Sequence, residues 1–155
     1  MRAYVGAQTD YASEDRDADE VLEYAQHIRS SPGQQDGLYW PTAADQLPSP
    51  VGPLLASAVE ARDVGDAYNG YHYRILARQG DNPPGGAYDY VINGNMIASF
   101  ALIAWPAEYD YFGVMTFLVS HQGKVYEKDL GPETAEVVAA IDAYDPDATW
   151  TEVAE

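Results

Sequence analysis

Residues 97–105 read IASFALIAW, and this run limits the fold more than any other part of the chain. All of it except Ser99 is apolar. Successive side chains of a strand point to opposite faces, so a run without polar alternation needs cover on both sides. Even extended back to Met96, it falls well short of the roughly 20 residues a bilayer-spanning helix needs. It therefore predicts an interior strand with layers packed on either face. Residues 71–78, YHYRILAR, place Tyr71, Tyr73, Ile75 and Ala77 on one face, with His72, Arg74, Leu76 and Arg78 mostly outward. Residues 114–120, VMTFLVS, resemble the central run. We expect 97–105 to pair with both.

Shorter signals complete the outline. Residues 88–92 read as a short strand, and Asn93-Gly94 is a strong hairpin-turn pair. Gln122-Gly123 makes a tight turn into a strand over 124–129. Residues 2–13 have helical spacing, with Tyr4, Ala7 and Tyr11 on one face. Residues 14–20 form a charged loop. Leu22, Ala25 and Ile28 suggest a second helix over 21–30, ended by Pro32 and Gly33. Residues 37–53 are proline-rich and loop-like around Leu38 and Trp40, which read as core plugs. Helices are expected over 53–62 and 132–144, each with proline in its first turn. The sum is an α+β domain over 1–155: an antiparallel meander packed against N-terminal and C-terminal helices.

Charge narrows the functions. The chain carries 25 acidic and 8 basic residues, a net charge of −17. Nucleic acid and anionic membranes both require a basic face, so neither is an expected partner. Its only lysines are Lys124 and Lys128. Abundant carboxylates with almost no lysine fit a protein working in high salt, where screening relieves self-repulsion. With no cysteine, disulfides and thiol chemistry are excluded. Residues 1–17 lack the apolar core of a signal peptide.

Four groups of residues carry chemical potential. Asp15, Asp17 and Asp19 stand at alternate positions, with Glu23 four residues on. Such oxygens suit a hard cation, and calcium is the cofactor this loop would take. Calcium loops put glycine at the sixth position and a bidentate glutamate at the twelfth, whereas Glu20 and Gln26 stand there. His27, His72 and His121 lie on three different elements, and no serine sits in a nucleophile-elbow context, so no catalytic residue is assigned. Glu108 and Asp110 flank Tyr109 beside Trp105, the arrangement a polysaccharide hydrolase would use. Finally, 13 tyrosines accompany 3 phenylalanines. Tyr88, Tyr90, Trp105, Tyr109 and Tyr111 cluster near the strand ends and form the best surface for a protein or saccharide partner.

The run GGAYDYVINGNMIASFALIAWPAEYDYFGVMTFLVSHQGKVYEKDLGP, with LEYAQHIRSSPGQQDGLYWP before it and DPDATW after it, resembles the bacterial family known as domain of unknown function 2950. The family has no established activity. The resemblance implies an exported protein, periplasmic or extracellular, of which this chain would be the C-terminal half. A more distant resemblance is architectural. AQTDYAS, then GYHYRILARQG, then FLVSHQGKVYEKDLG, is similar to the globular heads of type IV pilin-like and pseudopilin proteins. The expected function is a non-enzymatic interaction module of the cell envelope, with divalent-cation binding and envelope-polysaccharide hydrolysis as alternatives.

The charge generates a direct prediction. Sodium chloride between about 0.1 and about 1 M should raise the melting temperature progressively and without saturation, because the compact state concentrates the repulsion that salt screens. A melting temperature indifferent to salt would contradict the high-salt reading.

Overall fold

The computed structural model describes residues 1–52 and 69–154. The helix expected over 53–62 lies outside these residues. Five strands form the main sheet: β3 (Tyr71–Leu76), β8 (Ala101–Pro106), β9 (Met115–Ser120), β10 (Val125–Asp129) and β11 (Thr151–Glu152). They lie in the order β11-β10-β9-β8-β3, with every neighbouring pair antiparallel. As expected, the apolar run pairs on both sides, Arg74 facing Ile103 and Ile103 facing Leu118. Ala101, Leu102, Ile103 and Ala104 are all buried. Full burial stabilises a side chain such as Ile103 by about 1.5–3 kcal/mol.

The strand begins later than its apolarity suggests. Residues 97–100 are irregular, because Ala98 N–H donates to Tyr90 and His121 N–H donates to Phe100. Residues 71–78 are also divided: β3 ends at Leu76, and β4 (Arg78–Gln79) pairs instead with β5 (Tyr88–Asp89). Leu76, expected outward, is buried. The strand expected over 88–92 becomes β5 and β6 (Val91–Ile92), the latter paired with β7 (Asn95–Met96). Asn93 and Gly94 both adopt positive φ, 54° and 88°, the backbone a two-residue hairpin turn requires.

Helix α1 (Arg2–Tyr11) buries Tyr4, Ala7 and Tyr11, the expected stripe, and with them Gln8, which the apolar spacing did not mark. Tyr4 meets Phe100 edge-on at 5.6 Å. The N-terminal end of α1 lies beside Tyr71, Tyr73, Ala104 and Phe117, which share one face of the sheet. Helix α2 (Thr134–Ala139) serves the other face. Arg74, one position along β3 from Tyr73, donates to the carbonyls of Val138 and Ile141 and stacks over Trp105 at 5.6 Å. The sheet is therefore the middle layer, which explains why β8 has no polar face.

Two helical expectations are corrected. Residues 21–30 are extended: Tyr24 bridges Met96, and β1 (His27–Arg29) lies parallel to β2 (Gly37–Tyr39). Tertiary pairing overrides the helical spacing here, since the backbone of Ala25 bonds the Gln8 side chain and Tyr24 N–H donates to Met96. Residues 37–39 are accordingly strand and not loop; a Cβ on Gly37 would come within 2.6 Å of Arg29 carbonyl carbon. The helix expected over 132–144 is confined to α2. Beyond it, Tyr144 N–H donates to Arg78 and Gly80 N–H donates to Tyr144, fixing the chain as a parallel bridge. Asp145 then packs where a side chain on Gly80 would go.

Gln8 is fully buried. Its Nε2 donates to Ala25 O at 2.9 Å and to the Tyr4 hydroxyl at 2.9 Å, and its Oε1 accepts from Ala25 N–H at 2.8 Å. Gln8→Leu strands both backbone groups of Ala25 and should lower the unfolding free energy by about 2–4 kcal/mol. Urea denaturation measures this, with exposed Gln34→Leu as a control expected to stay within about 0.5 kcal/mol of the parent.

Candidate functional site

The acidic loop leaves the C-terminus of α1. Asp15, Asp17 and Asp19 each bring a carboxylate oxygen within 4.8 Å of the others, all three exposed. Backbone hydrogen bonds gather them. Asp15 accepts from Ala18 N–H at 2.8 Å and from Glu20 N–H at 2.9 Å, and Asp19 accepts from Val21 N–H at 2.8 Å. Ala18 and Glu20 have φ of 62° and 69°. A non-glycine residue in this left-handed region costs about 1–2 kcal/mol. Glu20, at the sixth position, therefore holds a positive φ without being glycine, as Ala18 does two residues earlier.

Glu23 does not join the three aspartates. Its Oε2 accepts from Met96 N–H at 3.0 Å. The β6–β7 hairpin also holds the loop through Asn95 Nδ2, which donates to Asp19 at 2.9 Å, and through Gly94 O, which accepts from Gln26 at 2.7 Å. The carboxylates differ in proton affinity. For Asp15, desolvation is outweighed by the N–H groups of Glu20 and Ala18, which hold its pKa below the ordinary value. Asp17 is pushed up, by desolvation and then by the charge of Asp19. Burial also raises Glu23, with the charges of Asp17 and Asp19 adding to the effect and Met96 N–H opposing it. A proton entering this cluster goes to Asp17 or Glu23 before Asp15.

The tyrosine cluster is split. Tyr88 and Tyr90 lie on the β4–β5 side, with ring centroids 5.6 Å apart. Tyr90 is 0% exposed, and its hydroxyl donates to Gln79 at 3.1 Å. It belongs to the core and offers no surface to a partner; period-two reading placed it on a strand but could not tell which way it faced. Trp105, Tyr109 and Tyr111 lie elsewhere, at the C-terminal end of β8. Trp105 is half-buried against His72 and Arg74. Tyr109 donates to Asp129 at 3.0 Å, and Tyr111 stands 74% exposed, edge-on to Phe112 at 4.7 Å.

The remaining groups are separated or enclosed. Glu108 and Asp110 are exposed beside this aromatic tip, and neither lines the two cavities described below. His27 is exposed on β1. His72 is half-buried, and burial lowers its pKa. His121 Nδ1 lies 2.5 Å from Ser99 Oγ. Sequence spacing could not reveal this pair, which forms because the chain entering β8 meets the chain leaving β9. Ser99 is only 1% exposed, and no carboxylate hydrogen-bonds His121 among the described residues. Sequence reasoning also missed a cleft of about 640 Å³ adjoining a groove of about 380 Å³, both lined by Arg2 and Val153. The walls of the cleft come from α1, the turn between β9 and β10, and residues 152–154, beyond the reach of any local motif.

The architecture defines an α+β domain whose antiparallel sheet is covered on both faces, and no described helix is long and apolar enough to cross a membrane. The chain belongs to the family described as protein of unknown function DUF2950, whose family model matches residues 1–153. No curated protein and no solved structure matches it.

Glu23 supplies a pH test. Its folded pKa lies above the ordinary 4.5. The folded state therefore holds this proton more tightly, and the contribution of Glu23 to stability falls as pH rises from 4.5 through the raised value. Above that interval the charged side chain imposes a constant penalty. Glu23→Gln keeps an acceptor for Met96 and removes the charge. It should flatten the pH dependence between about pH 4 and 7 and be at least as stable as the parent at neutral pH, read by urea unfolding. An unchanged slope, or a loss of stability at neutral pH, would contradict the assignment.

Proposed function

We propose that this chain is a non-enzymatic interaction module of the cell envelope, periplasmic or extracellular, which engages a protein or saccharide through the aromatic tip of residues 107–113. The observation that carries the reading is Tyr111, 74% exposed with Phe112 packed edge-on beside it. The loop beneath them is tied by its own backbone hydrogen bonds. Asp110 N–H donates to Gly113, Phe112 N–H donates to Glu108, and Asp110 takes a φ of 66°. Phe112 also lies close over Gly70, where any side chain would collide with its ring. Large rings on an ordered frame bind with little loss of conformational entropy, which is why they dominate interface energetics. Export and a pilin-head likeness belong to the same proposal; the family resemblance supports the first, and a helix packed on an antiparallel sheet supports the second.

The test is co-sedimentation with envelopes from the protein's own host, before and after protease and periodate treatment. The wild type should sediment, and the Tyr111→Ser, Phe112→Ser double variant should bind about tenfold more weakly or worse. Loss of binding after protease marks a protein partner; loss after periodate marks a saccharide. Failure of the wild type to sediment, or binding indifferent to both substitutions, would overturn the reading.

A second reading, divalent-cation binding, is favoured by the convergence of Asp15, Asp17 and Asp19 within 4.8 Å. Glu23, held by Met96, would then lie outside the first set of ligands. Calcium at one hundred times its dissociation constant should stabilise the fold by about 2.7 kcal/mol, in a saturable manner distinct from the sodium effect. Asp17→Ala should remove that increment alone. Thermal melts with and without millimolar calcium decide it, and the absence of a saturable shift would eliminate the reading.

A further inference from the structure

We propose that the cleft between α1 and the sheet is a second binding site, on the opposite side of the sheet from α2, and that it takes a carboxylated saccharide. The cleft and its adjoining groove, about 640 and 380 Å³, are of the size of ligand sites. Three features fix the chemistry.

The groove carries rings. Tyr71, Tyr73 and Phe117 line it together with Ala104, on the sheet face that α1 covers only in part. Tyr71 and Phe117 lie 5.8 Å apart and tilted, presenting flat apolar surface of the kind that packs against the C–H face of a sugar ring.

The cleft carries cations. Arg2 and Lys124 both line it, in a chain with 8 basic residues against 25 acidic ones. Lys124 is bridged at 3.2 Å to Glu152, a carboxylate that also lines the cleft, so these two charges offset each other. Arg2 is exposed and makes no ion pair among the described residues, so its guanidinium is the charge left for a ligand. A planar guanidinium matches a carboxylate with two parallel hydrogen bonds.

The rings stand on the face of the sheet, whereas the hydrogen-bonding groups of its edge strands, β3 and β11, lie in the sheet plane. Recognition in the groove therefore falls to rings and charge, which a uronate-type sugar supplies together. The floor of the cleft includes Gly6, in the interior of α1, where an added Cβ meets nothing within 4 Å and would project into open space.

Calorimetric titration with tetragalacturonate, cellotetraose and poly-L-glutamate tests the proposal on the whole chain. Tetragalacturonate should bind, more weakly as salt rises. Cellotetraose should bind about tenfold less tightly or worse, and poly-L-glutamate not measurably. Arg2→Gln, at an exposed position, should weaken tetragalacturonate about tenfold or more while leaving the melting temperature near that of the parent. Gly6→Ala should raise the melting temperature, as alanine does within a helix, and yet weaken binding by narrowing the floor. A merely structural role would move both readouts in the same direction. No binding of tetragalacturonate, equal binding of cellotetraose or poly-L-glutamate, or binding unchanged in both variants would each overturn the proposal. The aromatic-tip double variant should bind tetragalacturonate normally, which keeps this result separate from the envelope test; loss of binding there would place the saccharide at the tip and overturn the cleft assignment.

Discussion

The fold depends on one side chain acting as a piece of backbone. The amide of Gln8 has the donor and acceptor of a peptide group, and it pairs with both polar groups of Ala25 as a neighbouring strand would. The same Nε2 donates to the Tyr4 hydroxyl, and that hydroxyl donates to Ala101 O at 3.3 Å. A continuous line of hydrogen bonds thus runs from the arm carrying the acidic loop, through α1, to the first residue of β8. Being buried, the line has no water to substitute for a missing partner. It fixes the rotation of α1, the height of the arm and the start of the interior strand together.

A chain so acidic must hold its carboxylates with little help from cations. Among the described residues, ion pairs involve Arg16, Arg78 and Lys124. Backbone N–H groups do most of the rest. Asp36 accepts from Ser31, Asp129 from Gly131, Asp145 from Asn82 and Asp147 from Thr149, alongside Asp15 and Asp19 in the acidic loop. Each bond fixes a turn while placing an oxygen. The pKa of Asp36 and of Asp147 is lowered, for Asp147 chiefly by Thr149 and for Asp36 by Ser31 against desolvation. Arg16 is used for packing as much as charge: it lies over the rings of both Tyr11 and Trp40, closing the helix against the arm.

What was legible in the sequence was periodicity backed by burial. Residues 97–105 and 114–120 pointed to a covered sheet because short runs apolar on both faces and bounded by turn signals suit interior strands, and Asn93-Gly94 declared its turn because both residues accept positive φ. The segment 21–30 misled because its apolar spacing of three satisfies a helix, while its conformation is decided by Gln8 and Met96, remote in sequence. Tyr90 misled because strand alternation gives parity without direction. Of the candidate residues, the aspartates of the acidic loop come together as their spacing implied, since a local turn makes that geometry. The Ser99–His121 pair and the cleft at Arg2 and Lys124 were invisible, since tertiary packing alone brings their parts together.

The contact between Tyr4 and Ala101 spans 97 residues, and this has a consequence for how the molecule is made. A ribosome adding about 5–20 residues per second would need roughly 5–20 s between the two. Through that interval Tyr4, Ala7 and Tyr11 have no sheet to cover them, whereas β8, β9 and β10 follow one another through short turns and can close as soon as they emerge. The helix is thus synthesised well before the strand it packs against, and its buried stripe can be covered by the sheet only once β8 has left the ribosome.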